Sequence, residues 1–147
     1  MVTVCPAADS MRQTVKELTT NGDVEVTGVV TDVTKFDSMA SMRDAVLARH
    51  GRINIAFLNA GVAGFGRGAM WELDLKDWEW GLAVNVWGVI HGVKALLPPI
   101  VESGEEGHVV ITSSSVGVVA PDSVGSVGIV MARLHTAARR WWRRTQG

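Results

Sequence analysis

Ile53-Asn54-Ile55-Ala56-Phe57-Leu58-Asn59-Ala60-Gly61 is the stretch on which the reading of this chain turns. Five of its first six residues are apolar, and a turn-forming Asn-Ala-Gly follows them directly. A run this short is a strand, and one without polar alternation is expected where helices cover both faces of a sheet. The strand is therefore expected over 53–58, with its carboxyl end at Asn59.

Outward from it, short β-branched runs alternate with helical patterns. Towards the N-terminus, Val24 to Thr31 is a valine-rich strand, and Val2 to Cys5 another. Between them, Asp9 or Ser10 is placed to cap a helix that runs to about Thr19 and closes at Asn21-Gly22. Asp37 or Ser38 opens a second helix, with Met39, Met42, Val46 and Leu47 on one face and Gly51 at its end. Towards the C-terminus, a glycine-rich loop (Gly61 to Gly68) leads into a long helix from about Leu75 to Leu97, which Pro98-Pro99 is expected to stop. His108 to Thr112 is a fourth strand, Ser113 to Ser126 a loop of small residues, and Val127 to Trp142 a last helix. Such alternation implies parallel strands joined by right-handed crossovers, an α/β doubly wound arrangement.

The 147 residues suffice for one domain, 47% hydrophobic and 20% charged, a globular composition. A formal net charge of −1 gives no global attraction to nucleic acid or an anionic membrane, and neither is expected as a partner. Cys5 is the one cysteine, so no internal disulfide can form and a cytoplasmic location is expected. Pro6 interrupts the first apolar run, which argues against a signal peptide, and no uninterrupted apolar segment reaches span length.

In parallel α/β sheets, ligands gather at the carboxyl ends of the strands, where Asp32, Asn59 and Ser114 all fall. Asn59 offers donors and an acceptor, and Gly61 lets backbone approach a flat ligand. The competing account of Asn59-Ala60-Gly61 is an ordinary strand-to-loop turn, and of Ser113 to Ser115 a polar turn. Asn85 is anomalous: it lies among Leu82, Val84, Val86 and Val89, with poor helix propensity and a polar head to satisfy. It either serves a site or sits on a wetter edge of the helix.

Taken in order, Asp32-Val33, Asn59-Ala60-Gly61, Asn85-Val86-Trp87-Gly88, Leu97-Pro98 and Gly107-His108-Val109-Val110-Ile111-Thr112-Ser113-Ser114 resemble the single-domain branch of the short-chain dehydrogenase/reductase family. The resemblance covers roughly Val2 to Met131. It implies a Rossmann-like sheet, a nicotinamide cofactor (NAD or NADP) and hydride transfer between that cofactor and an alcohol or carbonyl substrate. By the same resemblance, Asp32 holds the adenine ring, Val33 beside it is cofactor-binding, and Asn59, Ala60 and Gly61 lie beside the adenosine half. Asn85 would position a water in the proton relay, and Ser114 would hold the substrate carbonyl oxygen.

The departures are as informative. The family tyrosine and lysine positions fall on Val127 and Met131; the chain has no tyrosine, and its last lysine is Lys94. Valine donates no proton, and methionine has no charge to tune one. Loss of a positioned acid/base lowers rates by about 10²–10⁴. Thr-Gly-x-x-x-Gly-x-Gly, the family's pyrophosphate cradle, does not occur here, and Gly64-Phe65-Gly66-Arg67-Gly68 has the wrong place and spacing to replace it. The four strands correspond to family strands 2 to 5, without the central strand 1. Either strands 2 and 4 then pair directly or two open inner edges remain.

Residues 1–132 are accordingly expected to form a partial Rossmann-like domain and 133–147 a basic helical tail. Arg139, Arg140, Arg143 and Arg144 around Trp141-Trp142 could suit nucleic acid or a membrane surface, but a solvated cationic helix end is the expected reading. The expected function is that of an oxidoreductase core without its own catalytic acid, inactive as written. The alternative is a non-catalytic partner that pairs through open sheet edges or through the helices Leu75–Leu97 and Val127–Trp142, by which family members commonly form homo-oligomers.

Overall fold

A computed structural model describes residues 1–20, 25–62 and 70–114. The expected helix Val127–Trp142, the tail, and positions 127 and 131 lie outside the described residues, as does Asn21-Gly22. Four strands are present: β1 (Val2–Cys5), β2 (Thr27–Val30), β3 (Ile55–Leu58) and β4 (His108–Ile111). Helices α1 (Ala8–Thr20) and α2 (Phe36–His50) follow β1 and β2. A 3-10 turn, Met70–Glu72, precedes α3 (Leu75–Leu82), a π-helical segment (Ala83–Trp87) and α4 (Gly88–Glu102).

The strands form two parallel pairs, which is the α/β architecture expected. β1 pairs with β2 from Val2 opposite Thr27 to Cys5 opposite Val30. β3 pairs with β4; His108 N–H donates to Asn54 O and Thr112 N–H to Leu58 O, bonds that ascend together along both strands. Among the described residues β1 pairs only with β2, and β3 only with β4.

Two compact units divide the chain: Met1–Ala56 with His91–His108, and Phe57–Ile90 with the residues from Val109 onward. In the first, Met39, Met42 and Val46 of α2 are buried, as are Ala95, Leu96 and Ile100 of α4. Full burial of such side chains contributes about 1.5–3 kcal/mol each. β2 meets a helix on each face through its alternating residues. Gly28 faces Met11 and Val15 of α1, while Thr27 and Val29 share a cavity wall with the end of α2. Gly51 ends α2 in the left-handed region, φ 74°, and its N–H caps Leu47 O, as expected.

Several boundaries differ from expectation. α1 starts at Ala8, so Asp9 and Ser10 lie inside its first turn and do not cap it. α2 starts at Phe36 after an uncapped Lys35, so Asp37 and Ser38 lie inside its first turn, where Ser38 Oγ accepts from Asp32 N–H. Leu75 to Leu97 is not one regular helix, since the π-helical segment widens it at Asn85. Nor does Pro98-Pro99 end it: α4 continues to Glu102, held by the buried Ala95, Leu96 and Ile100. The strand at Ile53 begins later, at Ile55, and Ile55 and Phe57 are 66% and 63% exposed, so one face of β3 is not covered as expected. Leu75–Glu102 meets the length and hydropathy of a membrane span although Lys76, Asp77, Glu79, Lys94 and Glu102 interrupt it; a core helix meets the same test, and 39% of its most apolar window is buried.

Candidate functional site

In the second unit, the polar groups that follow β3 are fastened twice. Asn85 is 1% exposed, so the reading that places it on a wetter edge of the helix is overturned. Its Oδ1 accepts from Val62 N–H at 2.8 Å, and its Nδ2 donates to Val62 O at 2.9 Å. One side chain thus satisfies both backbone groups of a loop residue, as a strand partner would. The wide turn Ala83–Trp87 is where this happens: Gly88 N–H reaches back to Ala83 O, and the extra residue per turn sets Asn85 towards the loop. Burial of an amide without partners is costly, so the reciprocal pair is what allows asparagine here at all.

The second fastening is at the strand ends. Thr112 Oγ1 donates to Asn59 Oδ1 at 2.7 Å, which joins the residue after β3 to the residue after β4. Asn59 and Ala60 are exposed, and Ser114 is half-buried and not free of partners. Gly61 is exposed; a methyl group there would meet Asn85 Oδ1 at 3.5 Å, ordinary contact. Among the described residues, then, no contact at 61 demands glycine.

In the first unit, Asp32 and Val33 form the turn between β2 and α2. Asp32 Oδ1 accepts from Thr34 N–H at 3.0 Å and from Thr34 Oγ1 at 2.7 Å. Asp32 N–H donates to Ser38 Oγ at 2.9 Å, and Lys35 Nζ lies 3.6 Å from Oδ2. The Thr34 hydroxyl, then its N–H and the Lys35 charge, hold the Asp32 carboxyl below the usual carboxylate range, against partial desolvation. Val33 O accepts from His91 Nδ1 at 2.9 Å, so that nitrogen carries the proton. The His91 ring meets Phe36 edge-on, and Lys94 Nζ lies 5.5 Å from the centre of the Phe36 ring.

The structure therefore brings Asn85 to Gly61 and Val62, and ties Asn59 to Thr112, while Asp32 and Val33 are held within the other unit. Four positioning residues were missed by the sequence reading: Ser38, Val62, His91 and Thr112. Thr112 alone left a signal, as a β-branched hydroxyl residue directly after an apolar strand. Backbone partners such as Val62 leave none. No group of three or more His, Cys, Asp or Glu suited to a metal occurs among the described residues.

A family model described as short chain dehydrogenase matches residues 1–126. The 1-deoxy-11-beta-hydroxypentalenate dehydrogenase of Streptomyces avermitilis is 32% identical over 108 residues, 74% of this chain and 40% of that protein. The oxidoreductase SadH of Mycobacterium tuberculosis, so named as putative, is 37% identical over 89 residues, 60% of this chain and 31% of its own. Among solved structures, a short chain dehydrogenase/reductase from Burkholderia phymatum in complex with NAD superposes with a TM-score of 0.91 at 32% identity, covering 99% of this chain and 52% of that one. LigD from Sphingobium, in its apo form, gives 0.91 at 25% identity, with 61% of that chain covered. The chain thus spans 31% to 61% of the length of these proteins.

Proposed function

This chain belongs to the short-chain dehydrogenase family, and from that premise we propose that it carries the adenosine-binding side of a nicotinamide-dependent oxidoreductase that interconverts an alcohol and a carbonyl. The observation that carries the reading is the Thr112–Asn59 bond at the carboxyl ends of β3 and β4, beside a Gly61 that packing does not demand. Asp32 supports it from its own unit. Its carboxyl is held below its ordinary value by Thr34 and Lys35, and with its side chain 37% exposed it can accept from an adenine amino group. By the family resemblance, Asn59 and Gly61 in the second unit and Asp32 in the first are each assigned to the adenosine half of NAD or NADP. Bound there, the cofactor would supply the hydride acceptor or donor. No residue among those described offers a cradle for its pyrophosphate.

Asn85 acts on the loop. With one lone pair and one N–H of its amide given to Val62, what remains for a relay water is one of each. Ser114 would take the substrate oxygen. Val127 and Met131 stand at the tyrosine and lysine positions, so this sequence as written moves no proton and turns over no substrate. We place it in the cytoplasm, on its single cysteine.

The test is a pair of measurements. The unmodified chain is expected to give no NAD(P)-linked absorbance change with a panel of alcohols. A version with an upstream Gly-rich strand–turn–helix segment plus Val127→Tyr and Met131→Lys is expected to bind cofactor and turn over. If that version binds no cofactor, the family membership carries no catalytic meaning for this chain.

A second reading, a non-catalytic partner, is favoured by the exposed Ile55, Phe57 and Val110 of β3 and β4 and by Trp80 and Trp87, 50% and 53% exposed. It includes a homo-oligomer formed through the long helices. Light scattering on the purified chain is expected to give a dimer; a monomer at tens of micromolar removes this reading.

A further inference from the structure

The turn after β2 is clamped by a side chain distant in sequence, and the clamp falls on one peptide group. His91, in the first turn of α4, is 58 residues from Val33, and its Nδ1–H donates to Val33 O at 2.9 Å. Val33 O and Thr34 N–H belong to the same planar peptide group, so a bond that fixes the oxygen also fixes the direction of the N–H. That N–H is the one that donates to Asp32 Oδ1, at 3.0 Å. His91, the peptide 33–34 and Asp32 therefore form a single chain of hydrogen bonds, all within the first unit. In such a chain each bond strengthens the next, because a carbonyl that accepts polarises its own N–H.

The imidazole is itself held in place. Its ring meets Phe36 edge-on with centroids 5.9 Å apart, and Phe36 opens α2 directly after the turn. Lys94, one turn further along α4, sets its ammonium 5.5 Å from the centre of the same Phe36 ring. Packing between α2 and α4 thus positions the donor that clamps the turn.

What the clamp orients is the acceptor capacity of Asp32. A carboxylate oxygen has about two lone-pair sites, and Thr34 takes both at Oδ1, through its N–H and its Oγ1. A further donor must therefore come to Oδ2, which stands 3.6 Å from Lys35 Nζ. Without the clamp, Oδ1 would be held by the Thr34 hydroxyl, which turns with its own side chain, and Oδ2 would lose its fixed direction. We propose that His91 is a positioning residue for purine recognition, which aims Asp32 Oδ2 at the exocyclic amino group of adenine through the peptide between Val33 and Thr34. The proposal rests on the adenine reading above and adds to it a residue from another helix.

Adenosine and inosine are the probes, since inosine carries a carbonyl oxygen where adenosine has the amino group. Each is titrated into the full chain while the amide resonances of Val33 and Thr34 are followed. The unmodified chain is expected to bind adenosine about three- to tenfold more tightly, the worth of one hydrogen bond. His91→Phe keeps a ring beside Phe36 but offers no donor, and is expected to bring that preference below about twofold. His91→Asn returns an N–H near the place of Nδ1 and is expected to restore it. The ratio compares two ligands on one folded protein, so a loss of stability alone leaves it unchanged. No preference in the unmodified chain would remove the adenine reading and this proposal together. A preference that survives in His91→Phe would overturn the proposal alone. So would a preference lost equally in His91→Asn, which would give His91 a packing role only. The imidazole nitrogen resonances of the unmodified chain supply a check that needs no variant. Neutral His91 must carry its proton on Nδ1, and an Nε2–H tautomer would overturn the clamp.

Discussion

Two loops at strand carboxyl ends are held in opposite ways. After β3, the loop is pinned by Asn85, a neutral amide that is 1% exposed and bonded to both backbone groups of Val62. After β2, the turn is held by Asp32, a charged carboxyl with its side chain 37% exposed, through Thr34, Ser38 and a loose pairing with Lys35. The amide of the buried pin is shut off from solvent, whereas the carboxyl of the open turn is not. Energetic weight should therefore follow burial, not formal charge.

Asn85→Leu tests the heavier side. It removes two hydrogen bonds and strands the Val62 N–H and carbonyl, so urea unfolding should report a loss of about 2–4 kcal/mol. A loss under 1 kcal/mol would show that water reaches Val62 and would erase the contrast. Asp32→Ala should cost about 1 kcal/mol in the same assay, the usual worth of a side chain that organises the entry to a helix. Thr112→Val, at an exposed bond to Asn59, should cost about 0.5–1 kcal/mol and leave the fold intact by circular dichroism. Lys35→Ala should change stability by less than about 0.5 kcal/mol, and less still in high salt.

Acid sharpens the same comparison. The folded-state pKa of Asp32 is depressed, so its contribution is fully present above the unfolded carboxylate value and is lost as pH falls through the lower folded value. Asp32→Asn should flatten that part of the acid limb of stability against pH. Asn85→Leu, which alters no titrating group, should lower the whole curve without changing its slope there. An unchanged slope in Asp32→Asn would mean that Thr34 and Lys35 do not hold the carboxyl down.

Local patterns made much of this legible. β1 was readable to the residue, and the Met39-Met42-Val46 face of α2 and its Gly51 cap followed from helical spacing and the need for a left-handed residue. The oddity of Asn85 was visible because a polar side chain in an apolar helix must find a partner. What that partner was could not be read, since Val62 answers through its backbone, and every residue has the same backbone. The passage of α4 through Pro98-Pro99 was equally hidden, because local rules give each proline a helix-breaking cost and omit the burial of Ala95, Leu96 and Ile100 that offsets it.

By itself the sequence determined the alternation of strands and helices, the family words at Asp32, Asn59, Asn85 and Ser114, and the absence of any tyrosine. These depend on residue type and short-range spacing, which the chain carries wherever it folds. Only the tertiary structure decided that Asn85 grips Val62, that Thr112 ties off Asn59, that Ile55 and Phe57 stay exposed, and that His91 clamps the carbonyl of Val33. Each of those depends on which residues distant in sequence are brought within about 3–4 Å, a distance at which hydrogen bonds and packing act and about which local spacing is silent.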